Sequence, residues 1–147
     1  MNWVLRIAAV VLAALSLTAP AAAPESNGYV MHLEAMRGTR YMTATCSGFL
    51  CQAKGHAPCS ALQFWTGCSG DLAVVQQVAS FAKLRMSTLQ AGDVLDFNGS
   101  HVAVYVGNGG MMDSVPGRGV GTLSNPAAND LWYSGSVRVL RWQEMRS

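Results

Sequence analysis

Two short segments, His101 to Val106 and Gly110 to Ser114, are joined by Asn108-Gly109, and this junction constrains the fold more than any other feature of the chain. A tight two-residue turn between antiparallel strands needs positive φ at both central residues, and Asn-Gly supplies it at little cost. The flanking residues are rich in Val and aromatics. Asp93 to Phe97 and Ser136 to Trp142 have the same texture, bounded by Gly, Asn and Pro, so the second half predicts a small, mostly antiparallel sheet.

The first half is expected to be helical. Val30 to Arg37 places Val30, Leu33 and Met36 on one face, with Gly38 as the stop. Cys46-Ser47-Gly48-Phe49-Leu50-Cys51 predicts the first turns of a second helix ending near Gly55, and Pro58-Cys59-Ser60 a turn whose serine caps a helical stretch through Trp65. Leu72 to Leu84, rich in Ala, Val and Gln, has the strongest helical character, although its Val pairs keep some strand character. Helices followed by strands imply an α+β fold with the helices packed on one face of the sheet.

Met1 to Arg6 is a short basic start, Ile7 to Leu17 an unbroken apolar run, and Ala19-Pro20-Ala21 and Ala21-Ala22-Ala23 are small-residue cleavage sites. The run is shorter than the roughly 20 apolar residues that span a bilayer. Residues 1–23 are therefore expected to be a signal peptide and residues 24–147 a single domain, exported to the periplasm or secreted, with no stable membrane anchor. Without Arg6 the chain carries 9 Lys+Arg against 8 Asp+Glu, a net +1, which offers no field to hold nucleic acid. The expected state is a monomer. All four cysteines, Cys46, Cys51, Cys59 and Cys68, fall in the exported part, where spare thiols tend to pair.

A cysteine at the start of a helix is placed to act as a thiolate nucleophile, because the helix dipole and unpaired amides favour the anion. Cys46, followed by Ser47-Gly48, fits that position, and the amides of Cys46 and Ser47 are candidates to hold an oxyanion. Of the three histidines, His32 falls on the first helix and His56 in the Lys-Gly-His-Ala-Pro stretch. Only His101 opens a strong strand, where its ring can be held rigidly. Asp113 follows on the next strand, across the Asn-Gly turn, where it can reach the second ring nitrogen of His101. Cys46, His101 and Asp113 make a nucleophile, a base and an orienting acid.

In order along the chain, Gly38-Thr39-Arg40-Tyr41, Cys46-Ser47-Gly48-Phe49-Leu50, Pro58-Cys59-Ser60 with Gln63, Leu89-Gln90-Ala91-Gly92-Asp93-Val94 and His101-Val102-Ala103-Val104-Tyr105-Val106-Gly107-Asn108-Gly109 resemble the motifs of the NlpC family of papain-like cysteine peptidases, which cleave peptidoglycan stem peptides. The resemblance implies a papain-like NlpC fold over residues 24–147, with the nucleophile at a helix N-terminus. It implies catalysis by Cys46, His101 and Asp113 without metal or organic cofactor, and support of the oxyanion or thiolate by the Tyr41 hydroxyl. The substrate implied is the bond between D-glutamate, through its γ-carboxyl, and the diamino acid. The chain departs from the pattern at Thr45, where the family usually has Asp, at the shortened Met42-Thr43-Ala44 loop, and at Asp113, where the family more often has His.

Cys68-Ser69-Gly70 repeats the Cys-Ser-Gly of Cys46. Its separation from Gly92, 92 − 68 = 24 against 92 − 46 = 46 for Cys46, leaves too little chain for the connection the family carries there. Cys46 and Cys51, about 7.5 Å apart in rise on one helix, should not bridge. Cys51, Cys59 and Cys68 remain for one disulfide, in any of three pairings. The cysteines and His101 are too scattered to suggest a zinc site, and Trp65, Trp132 and Tyr133 are expected as core or groove wall. Two alternatives stay open: an amidase, acyl transferase or secreted lytic effector using the same site, and a catalytically silent wall-binding module.

Overall fold

Asn108 and Gly109 both take positive φ, 52° and 75°, the conformation whose twist matches that of two antiparallel strands. The computed structural model describes residues 26–123 and 132–143, so the expected signal peptide and its cleavage sites lie outside the described residues. Three α-helices are present, α1 (Ser26–Ala35), α2 (Gly48–Lys54) and α3 (Ala61–Trp65). They are joined by six strands: β1 (Leu72–Val78), β2 (Val94–Phe97), β3 (His101–Gly107), β4 (Gly110–Val115), β5 (Gly119–Leu123) and β6 (Val137–Trp142). The strands form one sheet in the order β1-β6-β2-β3-β4-β5, with every neighbouring pair antiparallel. The chain is α+β.

Period-two alternation gives the sheet two buried faces. Val94, Val102, Val104, Met112, Val120 and Leu140 face the helices and meet Leu33, Phe49, Leu50 and Phe64. Leu95, Phe97, Ala103, Met111, Val137 and Val139 face the other way and are covered by Leu84, Tyr133 and the partly buried Phe81, Met86 and Trp132. The helices thus lie on one face, as expected. Each fully buried Leu or Phe contributes about 1.5–3 kcal/mol, so Phe49 and Leu50, both fully buried, anchor α2 firmly for a helix of two turns. Among the described residues no helix is long and apolar enough to cross a membrane.

The helix ends follow local chemistry. Gly38 is left-handed (φ 84°) after α1, and Gly55 (φ 69°) closes α2 with its amide on the carbonyls of Cys51 and Gln52. Before α3, Ser60 and Gln63 form a capping box: the Gln63 amide donates to Ser60 Oγ at 3.2 Å and the Ser60 amide to Gln63 Oε1 at 2.8 Å.

Leu72 to Leu84 is not a helix. Its first part is β1, paired with β6 from Leu72↔Trp142 to Val78↔Val137 around a bulge between Val74 and Gln76, and its second part holds a single 3-10 turn, Phe81–Lys83. A ladder of backbone bonds to β6 outweighs the slight helical preference of Ala, Leu and Gln, and β-branched Val74, Val75 and Val78 suit the pleat. Strand β5 was not anticipated either, because Gly119 and Gly121 weaken its strand character. It forms between β4 and the segment after α1: the Gly38 amide donates to the Val120 carbonyl at 2.9 Å, and the Val120 amide to Thr39 at 2.9 Å. Gly119 is required there. Its φ is 75°, and a Cβ would run into the carbonyl oxygen of Thr39. That close approach sets Arg40 and Tyr41 beside the turn that precedes β5.

Candidate active site

Cys46 lies just before α2 and is partly exposed, while Ser47 behind it is buried. The local cap comes from Thr45. Its Oγ1 accepts the Gly48 amide at 3.1 Å and its carbonyl accepts the Phe49 amide at 3.2 Å. Thr45, a departure from the family pattern, therefore does the work of an N-cap. With the Gly48 and Phe49 amides engaged, those of Cys46 and Ser47 are the ones placed to meet an oxyanion. The preceding loop is tied to the sheet by Ser114, whose buried Oγ donates to the Ala44 carbonyl at 2.5 Å.

His101 opens β3 and is 2 % exposed. In the hairpin register Asp113 stands opposite Ala103, one diagonal step from His101, within reach of a long side chain. His101 Nε2 and Asp113 Oδ2 are 3.0 Å apart, and Cys46 is close enough to bear on the charge of the same imidazole. The three predicted residues are thus brought together, the histidine between the other two. Phe97 stacks on the ring at 6.2 Å between centroids, with Trp132 at 5.3 Å and Tyr133 at 5.8 Å, so the imidazole has little freedom to turn.

Burial opposes charge on His101, but its bond to Asp113 and the nearby Cys46 outweigh it, and the imidazole is held above its ordinary pKa. Burial likewise opposes charge on Asp113, and the His101 and Arg118 bonds overcome it to hold the carboxyl below the usual range. Two partners of Asp113 were not foreseen. Tyr133 Oη donates to Oδ2 at 2.9 Å, and the Arg118 guanidinium pairs with Oδ1. Tyr133 was expected as core, and its ring is, but nothing in its sequence neighbourhood indicates where the hydroxyl goes. Arg118 sits in an exposed Pro-Gly-Arg-Gly turn without a recognisable signal.

Tyr41 stands near Cys46: burial first, and its electrostatic interaction with Cys46 second, push its phenol above the ordinary value. It lines a cleft of ≈ 360 Å³ together with Arg40, Met42, Pro116, Arg118 and Gly119. The other histidines have different tasks. His32 Nδ1 bonds the Ala53 carbonyl at 3.1 Å and ties α1 to α2, and His56 bonds Asp71 at 2.5 Å.

Cys51, Cys59 and Cys68 are buried free thiols. Burial pushes the Cys51 thiol up to about 11 and the Cys68 thiol higher still, which makes both poor nucleophiles at neutral pH. Cys68, the duplicate of the Cys46 motif, is 1 % exposed and packed in the core. Its neighbour Cys59 sets it among the other two thiols rather than beside His101.

Asp96, also on β2, is buried with Oδ1 bonded to the Gly99 amide at 2.7 Å and Oδ2 without a partner among the described residues. Burial raises its carboxyl to about 7, against the lowering influence of the Gly99 amide, His101 and Arg138. A carboxyl raised on folding binds its proton more tightly in the native state. Its penalty is therefore absent below the unfolded pKa near 3.9 and grows as pH rises toward about 7. Asp96→Asn is expected to gain in melting temperature over the parent as pH rises from 4 to 7. A difference between the two proteins that stays constant over that range contradicts the assignment.

Compared with known proteins, the chain matches no protein-family model and no curated protein.

Proposed function

We propose that the chain is an exported cysteine peptidase that hydrolyses an amide bond in peptidoglycan stem peptides. The observation that carries the reading is the line from Cys46 through the buried His101 to Asp113, whose carboxylate bonds the histidine Nε2 at 3.0 Å. With Nε2 held by Asp113, Nδ1 is the nitrogen left for the thiol. His101 takes the Cys46 proton, the thiolate forms a bond to the carbonyl carbon, and the amides of Cys46 and Ser47 hold the oxyanion. His101 then passes that proton to the leaving amine as the C–N bond breaks. Water, deprotonated by the same imidazole, attacks the thioester and releases the acid and the free thiol.

Peptidoglycan and the D-γ-glutamyl bond to the diamino acid come from the NlpC resemblance, and so do the papain-like NlpC fold and the export that the leader implies. The cleft supports the substrate class, because Arg40 offers positive charge next to Tyr41 and stem peptides are rich in carboxylates. Digestion of purified muropeptides, read by mass spectrometry, tests the reading. The parent protein is expected to yield a new free amine on the diamino acid with the lactyl amide intact, and Cys46→Ala none. A freed lactyl carboxyl would move the assignment to an amidase, and equal cleavage by Cys46→Ala would remove the peptidase altogether.

A further inference from the structure

We infer that Cys51, His56 and Cys59, with Cys68 beside them, form a structural binding site for one thiophilic divalent cation of the zinc class, separate from the peptidase centre. A ligand atom from each of Cys51, His56 and Cys59 lies within 4.8 Å of the others. Bonds of about 2.0–2.3 Å from one zinc ion place tetrahedral neighbours roughly 3.3–3.8 Å apart, so a contraction of about 1–1.5 Å at most closes the set. Cys68 packs beside Cys59, but its sulfur lies outside the set of mutually close ligand atoms, which leaves the fourth position to a water on the side where His56 is partly exposed. Two thiolates and one imidazole are donors that zinc favours.

The surroundings suit such a centre. His56 Nε2 bonds Asp71 Oδ2 at 2.5 Å, and Nδ1 lies 2.7 Å from the Ala57 carbonyl. Coordination takes one nitrogen from its present oxygen, and the other keeps a partner that fixes the ring, the arrangement usual for metal-bound histidines. The Cys59 amide points at Cys51 Sγ at 3.3 Å, a bond that strengthens when the sulfur becomes a thiolate. Trp142 packs on the His56 ring at 5.3 Å between centroids and shields that side. A disulfide would use two of the three sulfurs and leave the third thiol and the imidazole without a role. Binding releases the thiol protons to solvent, and no redox change is needed.

His101 is too far from Cys51 and Cys59 to share an ion with them; the histidine that joins them is His56. The ligands come from the middle of α2 and from the loop that joins α2 to α3. An ion there fixes the far end of the helix that carries Cys46, so apo protein should melt lower without a change in which residues react.

The test is titration of the reduced, chelator-stripped full chain with Co2+ and Zn2+. One Co2+ per chain is expected, with tetrahedral ligand-field bands and thiolate-to-cobalt charge transfer, both displaced by Zn2+. Cys46→Ala should keep both, whereas Cys59→Ala and His56→Ala should lose the spectrum, and Asp71→Asn should weaken Zn2+ binding by about 10–100-fold. His56 and Asp71 are partly exposed, so their variants remain informative if Cys59→Ala does not fold. An octahedral or absent cobalt spectrum overturns the site, as does a spectrum that survives His56→Ala, or protein isolated without metal and with two of these cysteines joined. None of these readouts depends on peptidase activity.

Discussion

His101→Ala is expected to lower kcat/KM on a stem-peptide substrate by roughly 10²–10⁴-fold, a loss of about 3–5 kcal/mol of transition-state stabilisation. The imidazole is asked to do two things in turn, to remove the thiol proton and to protonate the leaving amine, and no other histidine is near enough to replace it. His32 is bound to Ala53 and His56 to Asp71. Because His101 is buried among Phe97, Trp132 and Tyr133, the truncation also leaves a cavity and a lower melting temperature, so activity alone does not separate chemistry from folding. Alkylation of Cys46 by iodoacetamide near pH 6 does. It is expected to slow sharply in a variant whose circular dichroism is still native, because the cationic imidazole no longer stabilises the thiolate. If alkylation and hydrolysis both persist at the parent rate, His101 is not the base.

What the sequence disclosed and what it hid divide along a physical line. The Asn108-Gly109 turn, the Ser60 cap and the Gly55 stop are local, each decided by the φ or hydrogen bond that a few neighbouring residues prefer, and each forms. The hairpin then puts Asp113 beside His101 by register alone, so this half of the site was legible. Strand β1 was not, because its residues carry mixed preferences and its partners on β6 lie 59 (137 − 78) to 70 (142 − 72) residues further along the chain. Strand β5 is decided by its neighbours in the same way, with Thr39 on one side and β4 on the other. Arg118 reaches Asp113 from an exposed turn and the Tyr133 hydroxyl from a buried position outside the strands, and only the folded chain brings them in. The grouping of His56 with Cys51 and Cys59 has the same origin, since α2 and the loop after it must pack before the ligands meet.

Asp113→Asn is expected to cost nearly as much activity as the loss of His101, roughly 10²–10⁴-fold in kcat/KM, while changing almost no volume. The carboxylate is wholly buried and accepts from His101, Tyr133 and Arg118 at once. An amide has one oxygen for three donors, and its NH2 group must face at least one of them. If the NH2 faces His101, Nε2 becomes an acceptor and the ring proton moves to Nδ1, the nitrogen that must accept the thiol proton. If it faces Arg118, the remaining oxygen still accepts from His101 and Tyr133, but the guanidinium swings toward solvent, which its partial exposure permits, and its charge-assisted bond, about 1.5–3 kcal/mol, is lost. The variant should therefore melt lower at neutral pH. The sign of the pH effect follows from the depressed pKa: the carboxylate's contribution is complete above the ordinary carboxyl value and lost as pH falls through its lowered one. The gap in melting temperature between parent and Asp113→Asn should accordingly shrink in acid. Asp113→Ala frees Tyr133 and Arg118 from any clash with an amide but leaves His101 unoriented, so it should recover stability relative to Asn more readily than activity. Activity of Asp113→Asn within a few-fold of the parent would mean that the aromatic cage alone holds the imidazole, and Asp113 would then count as a structural acceptor for Arg118 and Tyr133.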